Sequence, residues 1–389
     1  MITPAVNFNF VAATLDPRIT FARAGATATR VNASGLIETV AADTARFDFN
    51  PTTLVCRGLL IEETRTNLLL GSEDFATYWL LGTGGSISSN AAVSPDGTQN
   101  ADAYTWATST NSYAFLRQTV SAASNVANTF SIFLKRPAGS GSRSVRLTVT
   151  DVTTSTTNSS NFTVTESWQR FTFTRTSASS TGQVGVGLVA GTAGTNPIVA
   201  GEVLHVWGGQ LEAGAFATSY IPTTTTAVTR NADVATITGT NFSNWWQSSK
   251  GGVLVRARPG TVSGVRPWLQ FDDGTANEII ALRGNTTNPE LYIVDGGTPQ
   301  AQIDAGTIAA NTDYSLTGWW ATNDCKARLD SGAVVTDTSA TIPTVTQARL
   351  GSDGTNYLNG HLATINYYDS FFGQPIYTRR KNKVFQSLF

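Results

Sequence analysis

The residues most often used in catalysis are few in this sequence. Only two histidines occur, His205 and His361, and both lie inside runs that alternate between polar and apolar residues. No G-x-S-x-G, HExxH or P-loop pattern accompanies them. We therefore expect both to be ordinary strand histidines. A Ser-His-Asp triad stays open at this point, because its members need not be adjacent in sequence.

Paired carboxylates are a second possible source of chemistry, since two of them placed across a glycosidic bond can hydrolyse it. Three pairs of adjacent acidic residues stand out: Glu62 with Glu63, Glu73 with Asp74, and Asp272 with Asp273. Neighbouring residues on a strand point to opposite faces, so such pairs do not form a catalytic dyad by themselves. We therefore expect no enzymatic activity.

The sequence Asp272-Asp273-Gly274 has two readings. Asp followed by Gly is typical of a tight hairpin turn, because glycine accepts a positive φ. The alternative is a calcium ion held by Asp272, Asp273 and nearby carbonyl oxygens, although an EF-hand pattern is missing. Calcium is the one cofactor that the sequence leaves open.

Aromatic residues are the stronger indication of ligand binding. The chain contains 9 Trp, 10 Tyr and 19 Phe among few charges, so we expect some rings to lie exposed, where they can stack on the apolar face of a sugar. If a consecutive Trp pair lies on a strand, its two rings point to opposite faces. The alternative is that all these rings belong to cores. The candidate ligand-binding residues are Trp106, Tyr113 and Phe115, which flank a polar run, and Trp245, Trp319 and Trp320, which belong to consecutive Trp pairs.

Charge and composition exclude several classes of protein. Charged residues make up 14% of the 389 residues, against about 25% in an average soluble protein. With 41% hydrophobic residues and a net charge of −1, the chain is neither a disordered protein nor a nucleic-acid binder. The start lacks the features of a signal peptide, and no apolar run is long enough to insert into a membrane. Cys56 and Cys325 are far apart and are expected to be free thiols.

Short alternating runs bounded by Gly, Ser, Thr, Asn and Pro predict an all-β fold. Clear examples are residues 130–135, 144–149, 169–175, 183–189, 252–258 and 289–295. A short helix is expected only within 376–389, where a basic run at 379–383 favours a solvated helix face over an anion site. Composition predicts three segments: an extended N-terminal β arm or small module at 1–66, a β-sandwich at 67–227 and a second β-sandwich at 228–389.

Several stretches together resemble a known class of proteins. The opening segment contains, in order, residues 15–21, 28–30, 35–38, 46–51, 58–62 and 65–69. This series resembles the opening module of bacteriophage virion appendage proteins of the head-spike, head-fibre or tail-fibre type. The middle segment, with Trp79, Trp168 and residues 206–212, is similar to the jelly-roll of carbohydrate-binding modules. The last segment, with residues 349–352, 357–360 and 362–368, is similar to a concanavalin A-like, laminin-G-like sandwich.

The resemblance implies a structural, non-enzymatic part of a phage virion. The N-terminal arm would dock to other virion proteins, and the two lectin-like sandwiches would attach to the host surface through its glycans. It also implies a homo-oligomer, expected to be a trimer, that is assembled in the host cytoplasm and located in the virion. The first alternative is a capsid or tail decoration protein that contacts only other virion proteins. The second is a polysaccharide depolymerase, which the missing strand repeats of a β-helix disfavour.

Overall fold

The computed structural model describes residues 3–25, 28–106, 116–122, 125–152, 156–176 and 182–369. The predicted all-β class is confirmed, since the described helices are only α1 (Phe75–Tyr78), α2 (Thr240–Ser243) and a 3-10 turn at Phe10–Ala12. The described strands are β1 (Val6–Asn9), β2 (Thr20–Ala22), β3 (Ala28–Val31), β4 (Ile37–Val40), β5 (Phe47–Phe49), β6 (Cys56–Ile61), β7 (Arg65–Asn67), β8 (Leu80–Leu81), β9 (Ser86–Ala92), β10 (Ala101–Thr105), β11 (Leu116–Ser121), β12 (Ala127–Lys135), β13 (Arg143–Asp151), β14 (Thr156–Val164), β15 (Gln169–Thr176), β16 (Gln183–Ala190), β17 (Val203–Ala213), β18 (Val228–Arg230), β19 (Val234–Ile237), β20 (Lys250–Pro259), β21 (Val265–Asp272), β22 (Ile279–Asn285), β23 (Asn288–Asp295), β24 (Thr298–Asp304), β25 (Tyr314–Ala321), β26 (Cys325–Leu329), β27 (Val335–Asp337), β28 (Gln347–Leu350) and β29 (Gly360–Tyr368).

The chain forms two compact units, and each is assembled from separate stretches of sequence. The described part of unit 1 lies within 3–22, 56–63 and 233–369, and that of unit 2 lies within 23–55 and 64–232. The first 66 residues contribute to both: β1, β2 and β6 belong to unit 1, whereas β3, β4, β5 and β7 belong to unit 2. The helix expected within 376–389 lies outside the described residues.

Unit 2 is a sandwich of two five-stranded antiparallel sheets. One sheet has the order β15-β12-β17-β10-β9, and the other has the order β14-β13-β16-β11-β8. Alternate apolar residues of the two sheets form one core, in which Phe130, Ile132 and Leu134 of β12 are buried together with Val145 and Leu147 of β13. The period-2 pattern of the sequence therefore places the apolar side of each sheet in the core.

Unit 1 is a second sandwich. One sheet runs β27-β26-β25-β20-β29-β6, with β1 also paired to β29, and the facing seven-stranded sheet runs β2-β19-β28-β21-β22-β23-β24. Aromatic rings from both sheets meet in the core, where Phe271 of β21 lies 5.8 Å from Trp320 of β25 and 6.3 Å from Tyr367 of β29, between ring centroids. No helix in the described part of the chain is long and apolar enough to span a membrane.

Candidate functional site

The aromatic residues singled out in unit 2 do not form an exposed wall among the described residues. Trp106 is fully buried in the unit 2 core, and its ring lies 5.1 Å from that of Tyr104. Tyr113 and Phe115 lie outside the described residues. The face of the Trp106 ring is therefore closed to a ligand, because the two facing sheets cover it.

The two Trp pairs of unit 1 are placed differently. Trp319 and Trp320 lie on β25 with their rings on opposite faces, as predicted for a strand-borne pair: Trp320 is in the core, and Trp319 lies over Gly252 of the neighbouring strand. Both rings are buried. Trp245 follows α2 instead of lying on a strand, and it packs at 4.9 Å from Tyr367 while its Nε1 donates to the Asn241 carbonyl.

Exposed rings were expected, but in the described ranges every Trp, Tyr and Phe is at least partly buried. The large apolar side chains that are exposed there are all Val or Leu. Fully exposed rings therefore mark no sugar-stacking surface among the described residues.

The three acidic pairs are occupied in structural contacts. Glu73 accepts hydrogen bonds from Tyr220 at 2.9 Å and Asn100 at 3.0 Å, and burial raises the pKa of its carboxyl. Asp74 caps α1 by accepting from the Thr77 amide. Glu63 pairs with Arg266 at 3.3 Å.

Asp272 and Asp273 also take separate roles. Asp272 is 1% exposed, and its Oδ2 accepts from Gln270 and from Arg349, each at 2.9 Å. Its Oδ1 accepts from the Gly274 amide and from Gln347. These four bonds use the acceptor positions of the carboxylate, so calcium binding would require breaking them. Asp273 is exposed and accepts from the Thr275 amide and hydroxyl, in a connection at 273–278 that is longer than the tight hairpin expected from Asp273-Gly274. No cluster of three or more His, Cys, Asp or Glu suited to a metal ion occurs among the described residues.

Asp272 belongs to a larger array on the face of the seven-stranded sheet that points away from the unit 1 core. We call this array the polar face. Its members alternate along their strands with core residues such as Leu269, Leu282 and Leu291. The polar face consists of Gln347 and Arg349 on β28, Gln270 and Asp272 on β21, Ala281 and Arg283 on β22, Glu290 and Tyr292 on β23, and Gln302 and Asp304 on β24.

The second half of the polar face is built around Glu290, which is nearly fully buried. Its Oε1 accepts from Arg283 Nε at 2.7 Å and its Oε2 accepts from Gln302 Nε2 at 2.9 Å. The guanidinium of Arg283 lies over the Tyr292 ring, 3.6 Å from its centroid. Contact with both the carboxylate and the ring holds Arg283 in one orientation, because a planar guanidinium can pair and stack at once.

This arrangement suits recognition of a neutral polyhydroxylated ligand. The two arginines offset the two buried carboxylates, and the exposed carboxylate of Asp304, which accepts from Asn288 and from the Gly306 amide, leaves one net negative charge that disfavours an anionic ligand. The guanidinium and amide N–H groups can donate to a ligand, and the amide oxygens and the exposed Asp304 carboxylate can accept from it, which matches hydroxyl groups that do both. Side chains already fixed by neighbours lose little further entropy when a ligand binds.

The two histidines lie in different units. His205 of β17 is opposite Lys135 and Ala103, and burial together with the charges of Lys135 and Arg136 lowers the pKa of its imidazole. Its Nδ1 is buried and has no hydrogen-bond partner among the described residues. His361 of β29 is opposite Leu60 and Arg258.

Of the polar face, sequence reasoning singled out only Asp272. A signal was present in residues 279–295, where Arg283, Glu290 and Tyr292 alternate with apolar residues although the chain is poor in charge. In a chain with few charges, charged residues that alternate with apolar ones on a strand predict that one face of the sheet is polar. Which of them are neighbours depends on the register, in which Arg283 is opposite Glu290 and Tyr292 is opposite Gln302.

No protein-family model matches this chain, and no curated protein matches its sequence. Among solved structures, it is similar to the CBM22-1 xylan-binding domain of Paenibacillus barcinonensis Xyn10C, with 15% identity, coverage of 39% of this chain and 94% of that domain, and a TM-score of 0.29. It is similar to the CBM40 of a Ruminococcus gnavus IT-sialidase bound to α2,3-sialyllactose, with 11% identity, coverage of 33% and 80%, and a TM-score of 0.28. A third similar structure is that of domains LG4-5 of the mouse laminin α1 chain, with 10% identity, coverage of 68% of this chain and 88% of that one, and a TM-score of 0.24. Because these TM-scores are below 0.5, the double-sandwich architecture rests on the strand pairing of the chain itself.

Proposed function

We propose that this chain is a non-catalytic glycan-binding protein that serves as a structural appendage of a bacteriophage particle and attaches it to the host surface. The glycan-binding part is supported by the polar face of unit 1, and the virion part is supported by the resemblance of residues 15–69 to the opening module of phage appendage proteins. The absence of a recognisable catalytic motif in the sequence is consistent with a binding role.

The observation that carries the glycan proposal is the set of mutually hydrogen-bonded polar side chains around Tyr292. Asp304 and Gln302 are the exposed members, and the Nε2 of Gln302 already donates to the buried Glu290 carboxylate. Its carbonyl oxygen and second N–H are directed by that contact, so a sugar hydroxyl can bind without ordering a free side chain. Gln302 is therefore the residue to test first.

The test is binding of the full-length protein to a glycan array and to intact host cells. Gln302→Ala should weaken binding about threefold to tenfold, which is the effect of one net hydrogen bond. Gln183→Ala removes an exposed strand glutamine from unit 2 and is the matched control, expected to bind like wild type. Absence of binding to every glycan and cell tested, or equal affinity of both variants, would overturn the assignment to the polar face.

The virion part needs a separate measurement. Antibodies against the purified protein should decorate phage particles in electron micrographs of the lysate, at the head or at the tail. Label that attaches to no particle would contradict the appendage role while leaving the glycan result intact. Release of reducing sugar from host capsule by the purified protein would instead favour a depolymerase.

A further inference from the structure

The terminal strands of the sheets differ in how they are protected against pairing with another chain. A strand at the end of a sheet presents unpaired N–H and C=O groups, and charges, Pro, bulges or short length normally prevent intermolecular pairing. In the described part of the chain, β14 is the terminal strand next to β13. It is nine residues long, and all nine pair with β13 without a register shift. Its sequence contains neither a charged residue nor Pro.

Other terminal strands of the two sandwiches carry a protecting feature. β2, β8 and β27 have three residues or fewer. β9 contains Asn90 with φ 54° and a register shift against β10. β15 contains Arg170 and Arg175, and β24 contains Pro299 and a register shift against β23. Among these strands β14 alone is long, regular and uncharged.

We propose that β14 is an association surface for a second copy of this chain, and that the two β14 strands pair antiparallel about a two-fold axis at Ser160. The two sheets then join edge to edge, and each copy covers the exposed edge of the other. A two-fold contact of this kind uses the same surface on both copies and closes after two copies. It differs from the three-fold arrangement expected from the resemblance.

The second copy is the occupant because β14 is complementary to itself. In the two-fold register, Thr157 faces Thr163 of the second copy and Ser159 faces Asn161 of the second copy. All four side chains are exposed. The Asn161 amide is already held by Thr192 of its own chain, so the complementarity comes from the facing Thr157 and Thr163 hydroxyls and from the absence of like charges at the facing positions. An identical strand also matches the edge in length, so every outward N–H finds a carbonyl except at the ends.

Charges introduced at the facing positions test the contact and its register. Thr157→Lys/Thr163→Lys places Lys opposite Lys at both ends of the proposed pair, whereas Thr157→Lys/Thr163→Glu places Lys opposite Glu. The two variants change the same exposed positions and both lose the Thr150–Thr157 hydroxyl contact. Thermal unfolding followed by circular dichroism, at protein concentrations low enough that both variants are monomeric, should be the same for both, which separates association from folding.

Sedimentation velocity and native mass spectrometry of the full chain then measure association. We expect a wild-type dimer, and a dissociation constant about tenfold higher for the Lys/Lys variant than for the Lys/Glu variant, because two opposed pairs change from attractive to repulsive. A wild type that stays monomeric, a trimer unaffected by either variant, or equal dissociation constants for the two variants would overturn the proposal. Binding of an extended peptide from another protein without self-association would do the same.

Discussion

Replacing Arg349 by Leu tests whether the polar face is a coupled network. Arg349 donates from Nε to Asp272 at 2.9 Å, and the carboxylate side chain is 1% exposed. Removing one partner of a buried ion pair costs 3–5 kcal/mol, and a hydrogen bond to a charged group contributes about 1.5–3 kcal/mol. The Arg349 side chain is 23% exposed, so water can partly replace it. We therefore expect a loss of about 2–3 kcal/mol in the free energy of unfolding.

Two further variants separate the loss of the buried Arg349–Asp272 contact from the loss of any arginine. Arg258→Leu is the control, because Arg258 pairs with Asp313 at 3.3 Å and the Asp313 side chain is 78% exposed, so its loss should cost about 0–1 kcal/mol. Adding Asp272→Asn to Arg349→Leu removes the unpaired charge and should recover part of the loss. Urea unfolding, with hydrogen exchange of peptides from β21 and β28 to assign the transition to unit 1, measures each value. Equal losses for Arg349→Leu and Arg258→Leu would refute the network.

Three more predictions address burial. The raised pKa of Glu73 means that the folded state holds this proton more tightly, so its stabilising effect is full below the ordinary value of 4.5 and is lost as the pH rises through the raised pKa. Glu73→Gln should remove that slope in unfolding measurements over pH, and an unchanged slope would exclude Glu73 as its source. Burial raises the pKa of the Cys325 thiol to about 11, so alkylation at neutral pH should leave it unmodified until the chain unfolds, as peptide mass spectrometry can check. Leu147→Ala, at a fully buried position of the unit 2 core, should cost about 2–5 kcal/mol in urea unfolding, and a cost below 1 kcal/mol would contradict a close-packed core.

The fold class and the strand positions follow from sequence because the side-chain period of a strand is local. The alternation in residues 130–135 and 144–149 predicts which side chains face the core, and Ile132 and Leu147 lie there. The positive φ of Gly274, 95°, is likewise a local preference, whereas the length of the connection at 273–278 is not. The period of the strand also predicts that the Trp319 and Trp320 rings point to opposite faces of the sheet. It does not predict that both rings are buried, because burial depends on what packs against each face.

The polar face and the division into two units depend on pairing between distant residues. Arg349 meets Asp272 only because β28 pairs with β21, across 77 positions of sequence. The strands formed by the first 67 residues belong to both units, because β1 pairs with β29 in unit 1 and β7 pairs with β18 in unit 2. Composition and period determined that this chain is an all-β protein with few charged residues. The register between distant strands decided which polar side chains meet. Backbone hydrogen bonds can join strands at any separation in the sequence, and burial of the apolar side chains in the core selects one pairing among these.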